Sequence, residues 1–248
     1  MSERGAPPAA EKRVALVTGA GRGIGRAIAL ELAASDFSLC LVARTRDQLE
    51  ETRALTGLPK ERSLIVLADL ATEDAPDCVM QTLLDCYGRI DVLVNNAGWA
   101  PPRTSTIKMR AEDLDRILAL NLRAPIALAR LAALKMTEQG GGTIINIASS
   151  AARKTPAGEA VYAAAKAGLI AFTRAAFQEL RPNGIKLSAI VPGLVDTSLI
   201  PHNKRLDRAM MLSPAEVADA VMQVVNSPAH ACPVEITLEP QFDPERSR

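Results

Sequence analysis

Short apolar runs alternate with longer helical patterns along this chain, and the alternation constrains the fold more than any other feature. Several runs are apolar at every position, as strands are when helices cover both faces of a sheet. The pattern predicts an α/β fold in three layers around a parallel sheet. The strand-like runs are 14–19, 38–44, 63–70, 90–98, 143–150, 185–193 and 234–240.

Helical patterns fill the spaces between these runs. They cover 24–35, 46–57, 75–88, 111–138, 159–181 and 213–226. No linker, low-complexity run or fixed-period repeat divides the chain, so we expect a single domain over 13–248. The polar, Pro/Ala-rich residues 1–12 are expected to form a flexible N-terminal tail. The long segment 193–212 is expected to be a substrate loop.

Composition excludes several classes of function. The 248 residues carry a net charge of +1, which gives no basic field for nucleic acid. The longest apolar stretches are of strand length, so no membrane span is expected, and the N-terminus lacks a signal-peptide core. The four cysteines form no C-x-x-C pair and no cysteine/histidine cluster has zinc spacing. We therefore expect reduced thiols, no metal site and a cytoplasmic location.

A glycine-rich segment, "TGAGRGIG" (18–25), lies between the first strand and its helix. Glycines let backbone amides approach an anion, and the positive end of a helix favours negative charge. The segment therefore predicts a dinucleotide pyrophosphate site. Its spacing is T-G-x-x-x-G-x-G, because Arg26 stands where the commoner G-x-G-x-x-G fingerprint has a third glycine.

The end of the second strand indicates which dinucleotide binds. NAD-binding folds usually place an acidic residue there to hold the ribose 2′-hydroxyl. This chain has Arg44 at that point and no acid before Asp47. Arginine suits the 2′-phosphate of NADP, so NADP(H) is expected over NAD. Arg22 in the glycine segment is a candidate for a second cation, and Arg46 could share the role of Arg44.

The chain resembles the short-chain dehydrogenases/reductases, and in particular the branch of that family whose chains have roughly 250 residues. The matching motifs are spread over nearly the whole chain. The resemblance implies a Rossmann fold of seven parallel strands, a nicotinamide cofactor and carbonyl/alcohol redox chemistry. The matching elements are "TGAGRGIG" (18–25), "DL" (69–70), "NNAG" (95–98), Asn121, Ser149, "YAAAK" (162–166) and "PG" (192–193).

By resemblance, Asn121, Ser149, Tyr162 and Lys166 form a catalytic tetrad. Tyr162 and Lys166 are four residues apart and so share one face of a helix, where an ammonium lowers the pKa of a phenol. Ser149, rather than Ser150, has the family's spacing of about thirteen residues to the tyrosine. The family also implies that Ser149 donates to the substrate oxygen, that Lys166 bonds the nicotinamide ribose, and that Asn121 holds a water behind it.

The resemblance implies a cofactor site that extends along the sheet edge. Asp69 is expected to contact the adenine ring, 95–98 to lie beside the cofactor, and Thr197 to touch its carboxamide or phosphates. The expected cofactor-binding residues are Thr18, Gly19, Gly21, Arg22, Gly23, Ile24, Gly25, Arg44, Asp69, Leu70, Asn96, Ala97, Gly98, Tyr162, Lys166, Pro192, Gly193 and Thr197.

The substrate side is less defined. Trp99 could form a pocket wall or cap the sheet edge, and Leu194 and Leu199 could line the pocket beside Ser149. The basic residues of 193–212 could meet an acidic substrate group, although a solvated basic face is the commoner role for such residues. They are His202, Lys204, Arg205 and Arg208.

These features predict an NADP(H)-dependent oxidoreductase that interconverts a small ketone and a secondary alcohol, with Tyr162 as general acid/base. The alternatives are a 3-oxoacyl-thioester (acyl-carrier-protein) reductase and a non-catalytic NADP(H)-binding sensor. The ending "CPVEITLEPQFDPERSR" lacks the Gly-rich segment and aspartate common among acyl-carrier-protein reductases of the family. A homodimer or homotetramer through the two long helices is expected by resemblance.

Overall fold

Residues 12–198, 200 and 206–244 are described by the computed structural model. Seven strands form one all-parallel sheet with the order β3-β2-β1-β4-β5-β6-β7. The predicted three-layer, doubly wound fold is confirmed. The strands are β1 (Val14–Thr18), β2 (Ser38–Ala43), β3 (Ser63–Leu67), β4 (Val92–Asn95), β5 (Gly142–Ile147), β6 (Ile185–Pro192) and β7 (Glu235–Leu238).

Eight α-helices lie among the described residues, and the larger ones cover the two faces of the sheet. Helices α1, α2 and α8 contribute to a core on one face, and α3, α5 and α7 to a core on the other. The helices are α1 (Gly23–Ala34), α2 (Arg46–Thr56), α3 (Ala75–Tyr87), α4 (Ala111–Leu118), α5 (Ala124–Gln139), α6 (Ala151–Lys154), α7 (Ala160–Leu180) and α8 (Pro214–Val225).

The predicted helix over 111–138 is interrupted. Residues Ala119–Arg123 form a π-helical segment between α4 and α5, which places one wider turn in an otherwise continuous helix. Apolar residues continue through that turn, so the sequence pattern predicted one helix. Asn121 lies in the π-helical segment and is fully buried.

Two helical stretches, 111–139 and 160–183, are long and apolar enough to span a membrane, by length and composition alone. The expectation that apolar stretches reach only strand length was therefore wrong. In the most apolar 18-residue segment of each stretch, 50% of the first and 39% of the second is buried inside the protein. Their apolar character follows from one face packing on the sheet, because core helices need an apolar stripe.

The chain changes direction at β1. It runs outward through β2 to β3, returns across β1 to β4, and then runs outward again to β7. The loops after β1 and β4 therefore diverge at the carboxyl ends of two neighbouring strands, which is where such sheets bind ligands. The expected N-terminal tail lies outside the described residues except for Lys12, which pairs with Asp36.

Candidate active site

The glycine turn after β1 has the geometry of an anion cradle. Gly19 and Gly23 have φ values of +66° and +54°, a region that glycine enters without strain. A Cβ on Gly25 would lie 2.2 Å from the carbonyl oxygen of Gly19, so only glycine fits there. No side chain caps the first turn of α1, so its N–H groups are available to a phosphate. These residues fit a dinucleotide pyrophosphate.

Hydrogen bonds join the ends of β1 and β4. The Thr18 hydroxyl accepts from the backbone N–H groups of Asn96 and Ala97, each at 2.9 Å. The Asn96 side chain donates to the carbonyls of Thr18 at 2.9 Å and Gly19 at 3.3 Å. The expected cofactor residues Thr18 and Asn96 therefore shape the site by holding its two loops together.

Arg26 is a residue whose role the sequence reasoning missed. Its guanidinium donates to the Gly21 carbonyl at 2.6 Å and pairs with Glu51 at 2.6 Å. The Thr52 hydroxyl accepts from Arg26 at 3.1 Å and donates to the Ala20 carbonyl at 2.9 Å. Helix α2 thus braces the glycine turn from behind. The sequence did offer a sign of this role, because Arg26 stands where the common fingerprint has its third glycine.

Charged residues cluster at the ends of β2 and β3. Arg44 is 58% exposed, and its Nη1 lies 3.9 Å from Oδ2 of Asp69. Arg116 lies closer, with its Nη2 3.0 Å from the same oxygen. Arg46 instead lies 3.9 Å from Glu50 on its own helix. Of the two arginines after β2, Arg44 is the one beside Asp69. Arg22 is exposed, and Leu70 is buried in the core.

The structure brings Tyr162, Ser149 and Lys166 together. The Ser149 side chain lies close enough to the Tyr162 hydroxyl to lower its pKa, and the Lys166 ammonium lies 5.8 Å from the Tyr162 ring centroid. Ser149 also accepts from the Ala151 N–H at 3.1 Å, which fixes its hydroxyl. Ser150 instead donates its backbone N–H to the Pro192 carbonyl at 2.8 Å. The geometry thus pairs Ser149 with the tyrosine.

Two polar contacts hold α7 against β5. Lys166 is 4% exposed and donates to the Ile147 carbonyl at 2.8 Å. Farther along the helix, the Thr173 hydroxyl accepts from the buried Asn146 side chain at 2.8 Å. Both contacts cross from the sheet to one face of α7. They set the rotation of the helix, and with it the direction of Tyr162.

Burial shifts the pKa values of both residues on α7. It lowers the pKa of Lys166 from its ordinary 10.5 to about 8. Burial also raises the pKa of Tyr162 to about 12; the Ser149 hydrogen bond opposes this rise and the Glu159 charge adds to it. The expectation that Lys166 lowers the pKa of the phenol was therefore wrong for this structure. Loss of hydration around the phenol is the largest cause of the rise, and the Lys166 charge is not among the causes of the shift.

Asn121 lies behind Lys166, across Gly98. Its side-chain amide donates to the carbonyls of Trp99 at 2.7 Å and Ile117 at 3.0 Å. A Cβ on Gly98 would lie 2.9 Å from Asn121 Oδ1 and 3.6 Å from Lys166 Nζ. The missing side chain of Gly98 thus leaves space between these two groups. The water-holding role of Asn121 stays a prediction.

Trp99 has contacts that favour packing over a pocket wall. Its backbone N–H donates to Asn121 Oδ1 at 3.3 Å. The ring packs against the core beneath α3 and α5, and the Arg116 guanidinium lies 5.8 Å from its centroid. The proposed contact of Trp99 with substrate stays a prediction.

The expected substrate loop is described at both ends. Leu194 accepts from the Leu212 N–H at 2.9 Å, and Val195 bridges to Leu212. Thr197 lies across the glycine turn, since its methyl group would be 3.3 Å from a Cβ on Gly23. Leu199, His202, Lys204 and Arg205 lie outside the described residues.

Arg208 is not a solvated member of a basic face. Its guanidinium lies 2.6 Å from the Asp196 carboxylate and donates to the Thr197 carbonyl at 2.8 Å. A further bond reaches the Ile200 carbonyl at 3.2 Å. Arg208 therefore braces the near end of the substrate loop. Sequence spacing could not show this, because its partners lie 8 to 12 positions away in an irregular segment.

A charge cluster joins the end of the chain to the segment after Ser149. Lys154 on α6 pairs with Glu239 at 2.8 Å, and Arg174 on α7 pairs with Glu235 at 2.8 Å. Glu235 also pairs with Arg153. A Cβ on Gly193 would lie 2.5 Å from Glu239 Oε2, so Gly193 leaves room for that carboxylate. Pro192 and Gly193 are therefore packed between α6 and the chain end.

A groove of about 580 Å³ lies on a different face of α7 from Tyr162 and Lys166. Small residues of α6, of α7 and of the segment between them form most of its lining. Neither tetrad residue of α7 lines it, so it is separate from the catalytic cluster. Within residues 12–198, 200 and 206–244, no three histidine, cysteine or acidic side chains gather as metal ligands would. The groove is lined by Ser105, Thr106, Ala152, Thr155, Pro156, Ala157, Gly158, Ala160, Ala163, Ala164 and Ala167.

Known proteins share both the sequence and the fold. A family model described as short chain dehydrogenase matches residues 13–207. A 3-oxoacyl-[acyl-carrier-protein] reductase of Synechocystis sp. is 35% identical over 226 residues, covering 88% of this chain and 91% of the relative.

Two solved structures match over almost the full length. A metagenomic short-chain oxidoreductase crystallised with NADP is 30% identical with a TM-score of 0.79, covering 93% of this chain and 98% of that one. Levodione reductase is 29% identical with a TM-score of 0.84, covering 92% of this chain and 95% of its own.

The lowered pKa of Lys166 predicts a specific dependence of stability on pH. Between about pH 8 and 10.5 the unfolded chain binds more protons at this lysine than the folded chain, so stability rises with pH there. The free energy of unfolding of the ligand-free protein, minus that of Lys166→Met, should increase by roughly 2 kcal/mol from pH 7 to pH 10. Urea unfolding at each pH measures it. A difference that is flat or falls with pH would contradict the buried, destabilised ammonium.

Proposed function

The chain belongs to the short-chain dehydrogenase family, and from this premise we propose that it interconverts a ketone and a secondary alcohol with NADP(H). Family membership makes it an oxidoreductase. The observation that carries the finer proposal is the Ser149 side chain beside the Tyr162 hydroxyl, with the Lys166 ammonium 5.8 Å from the Tyr162 ring centroid. An acid, a donor and a cation in one place are what proton transfer to a developing alkoxide needs.

Each residue of the cluster has a separate task in this proposal. Tyr162 donates its proton to the carbonyl oxygen during reduction and accepts it during alcohol oxidation. Ser149 donates a hydrogen bond to the same oxygen as negative charge develops there. Lys166 bonds the nicotinamide ribose beside Tyr162, and Asn121 positions Trp99 and the turn around Gly98. The nicotinamide cofactor, when bound, supplies or accepts the hydride.

The pKa values of the cluster favour reduction. A tyrosine with its pKa raised to about 12 holds its proton at neutral pH and is ready to act as an acid. Alcohol oxidation would require the phenolate, which burial disfavours. Burial thus favours the protonated tyrosine, the form that carbonyl reduction uses.

The cofactor is proposed to lie along the carboxyl edge of the sheet, from Asp69 to Thr197. The turn around Gly19 and Gly23 would hold the pyrophosphate, with free N–H groups of α1 as donors. Asp69 would meet the adenine end, and Tyr162 and Lys166 the nicotinamide end. The remaining residues in this proposal are Thr18, Gly21, Arg22, Ile24, Gly25, Arg44, Leu70, Asn96, Ala97, Gly98, Pro192 and Gly193.

The preference for NADP over NAD rests on Arg44. Its side chain is 58% exposed beside Asp69, and no acid occupies the end of β2. A guanidinium there suits a 2′-phosphate, which would be a charge-assisted partner. The NADP in the crystal of the metagenomic relative is consistent with this preference.

A second candidate function is reduction of a 3-oxoacyl thioester on an acyl-carrier protein. The name of the 35% identical Synechocystis relative favours it. The chain end argues against it, because Glu235 and Glu239 are held by arginine and lysine in place of a Gly-rich segment. A non-catalytic NADP(H) sensor would have no need for a tyrosine bonded to Ser149 beside a buried lysine.

The proposed partners are small carbonyl or alcohol substrates, with no nucleic acid and no membrane, in the cytoplasm. We also propose a homodimer or homotetramer through the long helices. Apolar residues are exposed along these helices: Leu114 on α4, Leu134 on α5 and Ile107, which is 92% exposed, before α4. The groove beside α7 is lined mainly by small residues. Light scattering of the purified protein is the test, and a monomer would contradict the proposal.

Replacing Tyr162 with phenylalanine should abolish most turnover. General acid catalysis typically contributes at least about 100-fold to the rate, so NADPH oxidation with activated ketones should fall by at least that factor. NADPH affinity should change little, because the ring and its packing remain. The control is Tyr87→Phe: the Tyr87 hydroxyl only bonds the backbone of Leu64 and Leu39, at 3.1 and 3.2 Å. Near-normal turnover of Tyr162→Phe would remove the acid assignment, and NADPH binding without turnover in the natural protein would favour the sensor.

Replacing Arg44 with alanine should weaken NADPH binding more than NADH binding. Loss of one charge-assisted contact predicts a dissociation constant about tenfold higher for NADPH. The affinity for NADH should stay within about twofold, since NADH lacks the phosphate that Arg44 would meet. Titration calorimetry with both nucleotides measures the ratio. Arg46→Ala is the matched control, and equal losses for the two nucleotides would remove the 2′-phosphate role.

A further inference from the structure

The carboxylate of Asp69 lies between two arginines from different elements. Its Oδ1 accepts from the Ala71 N–H at 3.1 Å, and its Oδ2 accepts from Arg116 at 3.0 Å. Arg44 lies 3.9 Å from Oδ2, outside hydrogen-bond distance. Arg116 therefore holds the position on the carboxylate that Arg44 could otherwise take.

Arg44 and Arg116 differ in how exposed their side chains are and in how many contacts hold them. The Arg116 side chain is 35% exposed, and its guanidinium lies 5.8 Å from the Trp99 ring centroid. Arg44 is 58% exposed, and Asp69 is its one ion-pair partner among the described residues. Arg116 is thus fixed by a carboxylate and an aromatic face, whereas Arg44 is held by one long contact. The pKa of Asp69 is lowered although burial raises it, because the Ala71 N–H and Arg116 stabilise the anion.

We propose that Arg116 is a positioning residue for coenzyme selectivity: it satisfies Asp69, and so leaves Arg44 free for the 2′-phosphate of NADP. The inference rests on the proposed NADP(H) site. Without Arg116, Arg44 would be the nearest cation to Asp69 and would be drawn into a direct ion pair with it. The uncompensated carboxylate would also repel a phosphate group that carries nearly two negative charges.

The turn that carries Asp69 has independent support. Arg123, seven residues beyond Arg116 on the same helical stretch, donates to the Ala71 carbonyl at 2.6 Å. The Thr72 N–H and hydroxyl both donate to the Asp69 carbonyl at 3.0 Å. Removing the Arg116 charge therefore leaves the backbone of the turn held by other contacts. A change in selectivity can then be separated from collapse of the turn.

The test measures binding of NADPH and NADH by calorimetry to the full-length protein and its variants. Arg116→Met should weaken NADPH binding about three- to tenfold, the range of a partly exposed ion pair, and NADH binding by less than about twofold. Arg116→Lys should keep most of the preference, since it restores the charge. Arg110→Met is the matched control, because Arg110 lies at the start of the same helix and pairs with nearby Asp113 at 2.8 Å.

A double-mutant cycle tests whether Arg116 acts on NADPH affinity through the Asp69 carboxylate. In an Asp69→Asn background there is no carboxylate to recruit Arg44, so adding Arg116→Met should leave the NADPH/NADH ratio unchanged within about twofold. A selective loss that persists in that background would overturn the inference. Equal losses of NADPH and NADH in Arg116→Met would overturn it too, because they indicate a structural role. Arg116→Gln takes the same place in the cycle if the methionine variant does not fold.

The proposed function can fail separately. Arg44→Ala is included in the same series. If Arg44→Ala loses NADPH selectively while Arg116→Met does not, the inference alone is wrong. If the natural protein binds neither nucleotide, or if Arg44→Ala leaves the ratio unchanged, both the NADP(H) assignment and the role of Arg116 are wrong.

Discussion

The hydrogen bonds between the ends of β1 and β4 are the contacts on which the proposed site depends. These two strands are neighbours in the sheet, but the loops that leave them diverge, one into the glycine turn and one towards Trp99. The Thr18 hydroxyl and the Asn96 side chain join the loops with four bonds of 2.9 to 3.3 Å. Because these bonds hold the two diverging loops at a fixed separation, the loops form a cleft at the edge of the sheet. The other residues of the proposed site lie around this cleft.

Burial of a cation is the second constraint, and it carries a cost. Lys166 has one protein hydrogen bond, to the Ile147 carbonyl, and desolvation lowers its pKa to about 8. Part of its charge is thus lost slightly above neutral pH, while Tyr162 beside it keeps its proton. An arrangement that is destabilising in the ligand-free protein is typical of residues kept for chemistry rather than for stability.

Long-range features of the fold could be predicted from the sequence, and cross-element contacts could not. Short apolar runs coincide with all seven strands, and several of them are continuously apolar because helices cover both faces of the sheet. The π-helical segment at Asn121 was missed because the chain continues through it with apolar residues, as a regular core helix does. The motifs placed Ser149, Tyr162 and Lys166 in one site, but the sign of the Tyr162 pKa shift depends on burial, which spacing does not contain. Arg26, Arg116 and Arg208 were missed or misread because their partners come from other elements.

The helical stretch from α4 through the π-helical segment connects the two ends of the proposed site. Arg116 reaches Asp69 at the adenine end, Asn121 holds both backbone groups of Trp99, and Arg123 holds the turn after β3. The π-helical segment lies between Arg116 and α5, so the wider turn sets the angle at which these side chains leave one helix. If this segment were regular α-helix, with 3.6 residues per turn, the side chains that follow it would point in a different direction around the helix axis. A single helical stretch with one irregular turn thus reaches both the Asp69 carboxylate and the backbone of Trp99.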